Sequence, residues 1–415
     1  MPELRIQAGR LFDGNALRPE RGLSIYISDG RIVSILAPGN ANPDLDGKEV
    51  ESIDASDLTV LPGLIDAHFH PVSSTFDIAA IDRAPPSLRA LDARQHLEAA
   101  LRRGFTTVRD AGGGDIGLVR ATEQGLICGP RLLIAGKAIS QTGGHGDMRP
   151  ADLAPACNCG YRGALGIVVD GPDQMRAAAR DQLRQGANHI KIFVSGGVLS
   201  PTDPIWMNQF TDAEIQAAVE EAATRNTYVM AHAHTAYAVR RCVRNGVRSI
   251  EHGTFMDRQS ADEVAAAGAF VVPTLSIVDS IRQGPVALPP AALEKLAANS
   301  DKGAASVEHC VSAGVKLGFG TDLFGVLRDR QADEFTVRGR IQKPIDVLRS
   351  ATRVNAELLN QSGQIGELSP GAYADLIAVE GDPVADLKIM ADPERFLKLV
   401  IRDGKVIVNR IKRST

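Results

Sequence analysis

Two histidines, His68 and His70, follow an apolar run, Leu61-Pro62-Gly63-Leu64-Ile65-Asp66-Ala67, two positions apart. In an extended strand such residues share a face, so their imidazoles can grip one cation. A His-x-His pair alone is weak evidence, because two half-exposed polar residues would read the same way. Partners at the ends of other apolar runs strengthen it: Lys191, His232, His252 in Ile250-Glu251-His252-Gly253 and Asp322 in Phe319-Gly320-Thr321-Asp322. Four histidines and one carboxylate converging from separate strands would suit zinc or a similar borderline ion. Lys191 needs its own explanation, since an ammonium with a pKa near ~10.4 repels a cation. Flanked by Ile190, Ile192 and Phe193, it is either a charge that binds a substrate anion or a neutral amine that has captured CO₂. As a carbamate it would carry one oxygen for each of two metals.

His145 lies in the glycine-rich segment Thr142-Gly143-Gly144-His145-Gly146-Asp147. It is a candidate for holding a substrate carboxylate or a tetrahedral oxyanion; the competing reading is a surface loop histidine. Ser73, three residues after His70, and Arg109 are further candidates for substrate contact, although Arg109-Asp110 reads equally as an internal ion pair shaping a barrel mouth. Cys157-Asn158-Cys159 has no second cysteine pair to complete a zinc site and reads as loop cysteines.

These residues need a scaffold that brings distant strand ends together. From Leu58 onward, short apolar β-type runs alternate with stretches of helical periodicity. The runs include 106–108, 131–135, 189–193, 228–231, 249–251, 270–272 and 315–319; the helical stretches include 90–103, 172–186, 211–225, 260–267 and 290–313. Alternation of this kind implies parallel strands with crossover helices, and a count of about eight suits a closed (β/α)₈ barrel better than an open doubly wound sheet. Its active site would sit at the carboxyl ends of the strands. The first ~60 residues, with Leu4-Arg5-Ile6-Gln7-Ala8, Leu23-Ser24-Ile25-Tyr26-Ile27 and Arg31-Ile32-Val33-Ser34-Ile35, are β-rich instead. So is the tail after a helical stretch near 344–360. We therefore expect an α/β protein with a small β-sandwich built from both ends, 1–60 plus 361–415, and a barrel over 61–360.

The 415 residues carry a formal charge of −4, with acidic and basic groups mixed throughout, which leaves no footprint for nucleic acid or an anionic membrane. A mean hydropathy of −0.06 and the lack of any apolar run near ~20 residues argue for a water-soluble chain and a small-molecule partner. Five cysteines, an odd number and mostly far apart, suggest reduced thiols, and Met1-Pro2-Glu3-Leu4-Arg5 does not open a secretory signal, so a cytoplasmic location is expected.

The strand Leu61–His70, with Lys191, His232, His252 and Asp322 in order and the tail Gly366-Glu367-Leu368-Ser369-Pro370-Gly371-Ala372-Tyr373-Ala374-Asp375-Leu376-Ile377, resembles the amidohydrolase superfamily over nearly the whole chain. Gly104-Phe105-Thr106-Thr107-Val108-Arg109-Asp110, Gly143-Gly144-His145-Gly146-Asp147 and Lys191-Ile192-Phe193-Val194-Ser195-Gly196-Gly197 are similar to its imidazolonepropionase-related dipeptidases and carboxypeptidases, a branch that includes ochratoxin-hydrolysing amidases. The resemblance implies a barrel with a terminal β-sandwich and two divalent ions, zinc by preference. His68, His70 and Asp322 would bind the more buried ion, His232 and His252 the second, and Lys191 would bridge them as its carbamate. A shared hydroxide would attack the amide carbonyl, and Asp322 would carry its proton to the departing nitrogen. His234 also faces inward by alternation; the family pattern makes His232 the ligand and leaves His234 to touch substrate. The implied substrate has a free carboxylate beside the scissile amide, as in a dipeptide, an N-acyl amino acid or ochratoxin A, and a homo-oligomer is implied. Competing readings are a one-metal cyclic amidase or deaminase and a non-catalytic metal-binding scaffold.

Overall fold

The computed structural model describes residues 3–40, 42, 49–150, 163–200, 202–284, 286, 288, 290–299 and 302–411. The Cys157–Cys159 pair lies outside them.

The chain opens with β1 (Glu3–Leu11), β2 (Ser24–Ser28), β3 (Arg31–Leu36) and the long β4 (Val50–Pro62). Period-two burial along β1 shows why: Leu4, Ile6 and Ala8 face inward, while Arg5 and Gln7 are part-exposed. After Gly63 the barrel begins with β5 (Leu64–Phe69), β6 (Phe105–Asp110), β7 (Arg131–Leu133), β8 (Ala138–Ser140), β9 (Gly166–Val168) and β10 (Ile190–Phe193). It continues with β11 (Val229–Thr235), β12 (Ser249–Phe255), β13 (Phe270–Val272) and the two-residue β14 (Lys316–Leu317). Pairing is parallel throughout, in the orders β5-β6-β7 and β14-β13-β12-β11-β10-β8-β9.

The third barrel strand, expected over 131–135, is therefore two pieces: β7 pairs with β6, and β8 pairs with β10. Gly136 breaks it with a φ of 68°. Side chains replace the lost ladder, for Asn188 Oδ1 accepts from Ile134 N at 2.8 Å and Gln182 Oε1 from Lys137 N at 2.8 Å. Closure occurs beyond β14, where Ala67 N donates to Phe319 O (2.8 Å) and Asp322 N to His68 O (2.9 Å). Asn355 completes the seam, its Nδ2 donating to Ile65 O and Phe319 O, both at 2.8 Å.

The helices fall where periodicity places them, including Pro86–Arg102, Pro172–Arg184, Asp212–Ala223 and Arg258–Ala266. The stretch expected as one helix over 290–313 is two, Pro290–Asn299 and Lys302–Ala313. The helix near 344–360 contains a π-helical segment, Ser350–Val354, just before Asn355.

The tail returns as β15 (Leu376–Glu380), β16 (Leu397–Arg402) and β17 (Lys405–Asn409), which join β4. The seven terminal strands form one continuous sheet, β17-β16-β15-β4-β1-β2-β3, with bulges in several pairings, around a core that includes Ile6, Ile25, Ile53, Leu376 and Ile401. Its edge β3 meets the segment before β15 through Ile32 N to Ala372 O (2.9 Å). Among the described residues no helix is long and apolar enough to cross a membrane.

Candidate active site

Strand ends of the barrel bring His68, His70, Lys191, His232, His234, His252 and Asp322 to one cavity of about 370 Å³. Asp322 Oδ1 lies 3.3 Å from His68 Nε2 and 3.2 Å from His70 Nε2. The ligand atoms of His68, His252 and Asp322 lie within 4.8 Å of one another, as do those of His232, His234 and His252. Two overlapping groups of imidazole and carboxylate donors, converging in a buried pocket, are a donor set that fits divalent ions.

Each imidazole is pinned from behind. His70 Nδ1 meets Gly112 O at 3.0 Å, His252 Nδ1 meets Thr274 Oγ1 at 2.7 Å and His234 Nδ1 meets Thr254 Oγ1 at 2.8 Å. Each of these contacts holds Nδ1 and leaves Nε2 on the other side of the ring, that of His70 lying 3.2 Å from Asp322 Oδ1. His232 is reversed, for its Nε2 lies 3.2 Å from Gly196 O, leaving Nδ1 free. Burial pushes His232 and His252 well below the ordinary imidazole range and His234 down to about 3, so all three are neutral at pH 7, the form that donates a lone pair. Burial opposes charge on Asp322 too, but His68 and His70 hold its carboxyl well below the usual range. Lys191 is 2% exposed; burial lowers its ammonium to about 8 against the pull of Glu251 and Asp322.

Two of these side chains depend on unusual backbone. His252 has a φ of 71° and Asp322 of 56°. In a regular pleat Glu251 and His252 would face opposite ways; the left-handed turn at His252 lets Glu251 reach His68 while His252 lines the cavity. Close packing fixes the neighbours: a Cβ on Gly320 would come within 2.7 Å of His68 Cβ.

His145 lines the cavity after β8 and stacks on His232 with ring centroids 4.4 Å apart. Its Nδ1 is held by Ser200 Oγ at 2.7 Å and faces Asp203 Oδ2 at 3.4 Å. Gly197 lies so near that a Cβ there would meet the ring at 2.2 Å.

Two expected substrate contacts do not reach the cavity. The Ser73 hydroxyl is fully buried between the carbonyls of His70 (2.7 Å) and Leu323 (3.1 Å), where it joins the first and eighth strand ends. Ser73→Ala is therefore expected to cost about 1–3 kcal/mol in denaturant unfolding and to leave KM within about twofold; a selective rise in KM at unchanged stability would reverse this assignment. Arg109 is also fully buried, and its ion-pair partner is Glu251 at 2.9 Å rather than the adjacent Asp110. Asp110 instead accepts from Gly112 N and Ala135 N.

Sequence reasoning passed over Glu251, Asp66 and Asp203. The signal available for the first two was a carboxylate embedded in an apolar strand, costly unless paired. Asp66 accepts from Thr321 Oγ1 (2.7 Å) and Gln331 Nε2 (2.8 Å), locking the barrel seam beneath His68.

The geometry has clear counterparts among known proteins. Ochratoxinase from Aspergillus niger is 30% identical over 408 residues, covering 94% of this chain and 83% of that protein. A crystal structure of an amidohydrolase superposes with a TM-score of 0.93 at 42% identity, covering 99% of this chain and 100% of the other. A prolidase complexed with N-methylphosphonate-L-proline gives 0.93 at 41% identity, with 98% and 100% covered. The model of the amidohydrolase family matches residues 59–407. A match that starts near the end of β4 and ends within β17 takes in the whole barrel and the C-terminal strands of the terminal sheet, so the chain belongs to the amidohydrolase family and is a hydrolase of amide bonds.

Proposed function

We propose that the protein is a binuclear metal-dependent hydrolase that releases a C-terminal amino acid from a dipeptide, an N-acyl amino acid or an ochratoxin A-like amide. The observation that carries this reading is the pair of donor groups sharing His252, with Lys191 buried in the same cavity. His68, His70 and Asp322 would hold one ion, His232 and His252 the other, and Lys191 as its carbamate would lie between them; zinc suits this donor set. When bound, the ions supply a water-derived nucleophile at neutral pH and polarise the scissile carbonyl.

The protein's own groups do the rest. Asp322 takes the proton of the attacking water on a carboxylate oxygen and delivers it to the departing nitrogen, which leaves poorly as an anion. His145, oriented through Nδ1 by Ser200 and Asp203, offers its other nitrogen to the substrate carboxylate or to the developing oxyanion. His234, oriented by Thr254, faces the same space.

The outer cavity is lined by Ile78, Met148, Leu165, Ile277, Ile281 and Ile341. This wall supports an apolar acyl group on the scissile amide. Burying ~100 Å² of extra apolar surface is worth about 2.5 kcal/mol, so kcat/KM should rise about 10–100-fold from a glycyl to an aromatic or branched acyl group. Assaying the zinc-reconstituted enzyme against dipeptides, N-acyl amino acids and ochratoxin A, with metal counted per chain, tests the whole reading. One ion per chain, an unmodified lysine and turnover only of cyclic amides would sink it.

A further inference from the structure

Behind His68 lies a fully buried polar cluster that takes no direct part in the chemistry above. Glu251 Oε2 is 2.7 Å from His68 Nδ1. Its other oxygen accepts from Arg109 Nη2 at 2.9 Å and from Ser249 Oγ at 2.5 Å. Arg109 Nη1 donates to Ser249 Oγ at 3.0 Å, and its Nε to Ala67 O, the carbonyl just before His68, at 2.6 Å. Arg109, Ser249 and Glu251 are 0% exposed and His68 is 1% exposed.

Fold stability alone is a poor explanation, because a buried ion pair roughly breaks even against apolar residues of the same volume. The other strand-end histidines offer a sharper comparison. His70, His232, His234 and His252 are held by carbonyl or threonine oxygens. Of these five, His68 alone is hydrogen-bonded through Nδ1 to a carboxylate. A carboxylate acceptor fixes the Nδ1–H tautomer, so the Nε2 lone pair is the one presented, and it makes the ring a stronger donor.

We propose that Glu251 is a positioning residue for the first metal site, with Arg109 and Ser249 holding its carboxylate so that His68 presents Nε2 to the ion in one fixed orientation. Arg109 ties the two halves together, gripping both the carboxylate and the backbone of the strand that carries His68. This rests on His68 being a metal ligand, as proposed above.

The test compares the full-length wild type with Glu251→Gln and with the double variant Arg109→Gln/Glu251→Gln, which leaves no uncompensated buried charge. Zinc dissociation constants are measured by competition with a chromophoric chelator, the cobalt-substituted proteins are compared by visible absorption, and folding is checked by thermal unfolding of the metal-free forms. Both variants should bind one of the two ions about 10–100-fold more weakly, keep the affinity of the other, and show altered cobalt bands. A folded double variant with both wild-type dissociation constants and the wild-type cobalt spectrum would overturn the positioning role. A wild-type protein that takes up no zinc or cobalt overturns the metal reading itself, a result distinguishable from the first.

Discussion

Asp322→Asn is expected to retain both metals and to lose about 10²–10⁴-fold in kcat, the range assigned to a positioned proton carrier. The amide keeps the size of the carboxylate and one oxygen directed at His68 and His70, which approach Asp322 Oδ1 at 3.3 and 3.2 Å. It cannot accept and release a proton. Asparagine is also the replacement least disturbing to the backbone, since Asp322 has a φ of 56° and asparagine tolerates the left-handed region better than most residues. An alanine variant would confuse lost chemistry with a shifted strand end. Metal content by atomic emission and kcat with the preferred substrate decide the matter. A metal-replete Asp322→Asn enzyme with near-native turnover would remove Asp322 from the proton path.

The second large effect is expected at Lys191. Lys191→Ala should lower activity by about 10³-fold or more if Lys191 is the proposed carbamate, since a bridging anion would contribute several kcal/mol to the electrostatics of a two-ion site. The more telling variant is Lys191→Arg. If Lys191 serves as a cation for a substrate anion, arginine preserves that charge and much of the activity. If Lys191 works as a carbamate, arginine cannot form one and is as inactive as alanine. Burial favours the second outcome: with the amine lowered to about 8, roughly a tenth of it is neutral at pH 7, against ~0.03% at its ordinary value of about 10.5. Only the neutral amine captures CO₂. Reconstituting metal-free protein with zinc, with and without added bicarbonate, should make recovery of activity depend on bicarbonate; recovery without any CO₂ source would exclude the carbamate.

The barrel and the main donors were legible because their signals are local. Each apolar run announces a buried strand, and the polar residue that ends it announces the mouth, as at Lys191, His252 and Asp322. Period two suffices for His68 and His70, and for His232 and His234, which stay in register along β5 and β11 or just beyond. It fails at Glu251 and His252, because a left-handed residue reverses the alternation, so that Glu251 meets His68 while the next side chain, His252, lines the cavity. Pairings between distant parts of the chain were also hidden. Arg109 sits beside Asp110 in sequence, yet its charge is answered by Glu251, 142 positions away. Ser73 looked like a mouth residue from its distance to His70, whereas only the tertiary seam with Leu323 shows its hydroxyl turned inward. The interrupted third strand escaped notice because Gly136 acts through Asn188 and Gln182, side chains supplied by the next helix and loop.

The seam formed by Asp66 and Thr321 joins residues 255 positions apart, and it lies directly under a proposed metal ligand. During synthesis, the amino-terminal half can expose His68 and His70 long before their carboxylate partner exists. A nascent chain halted before Asp322 would hold only a fragment of the coordination sphere. Such a chain would hold the histidines and Lys191 but would lack both the Asp322 carboxylate and the Asp66–Thr321 seam that closes the barrel around them. If the proposed centre binds metal, its tight capture would wait until the last barrel strand has left the ribosome, and loading would follow completion of the fold.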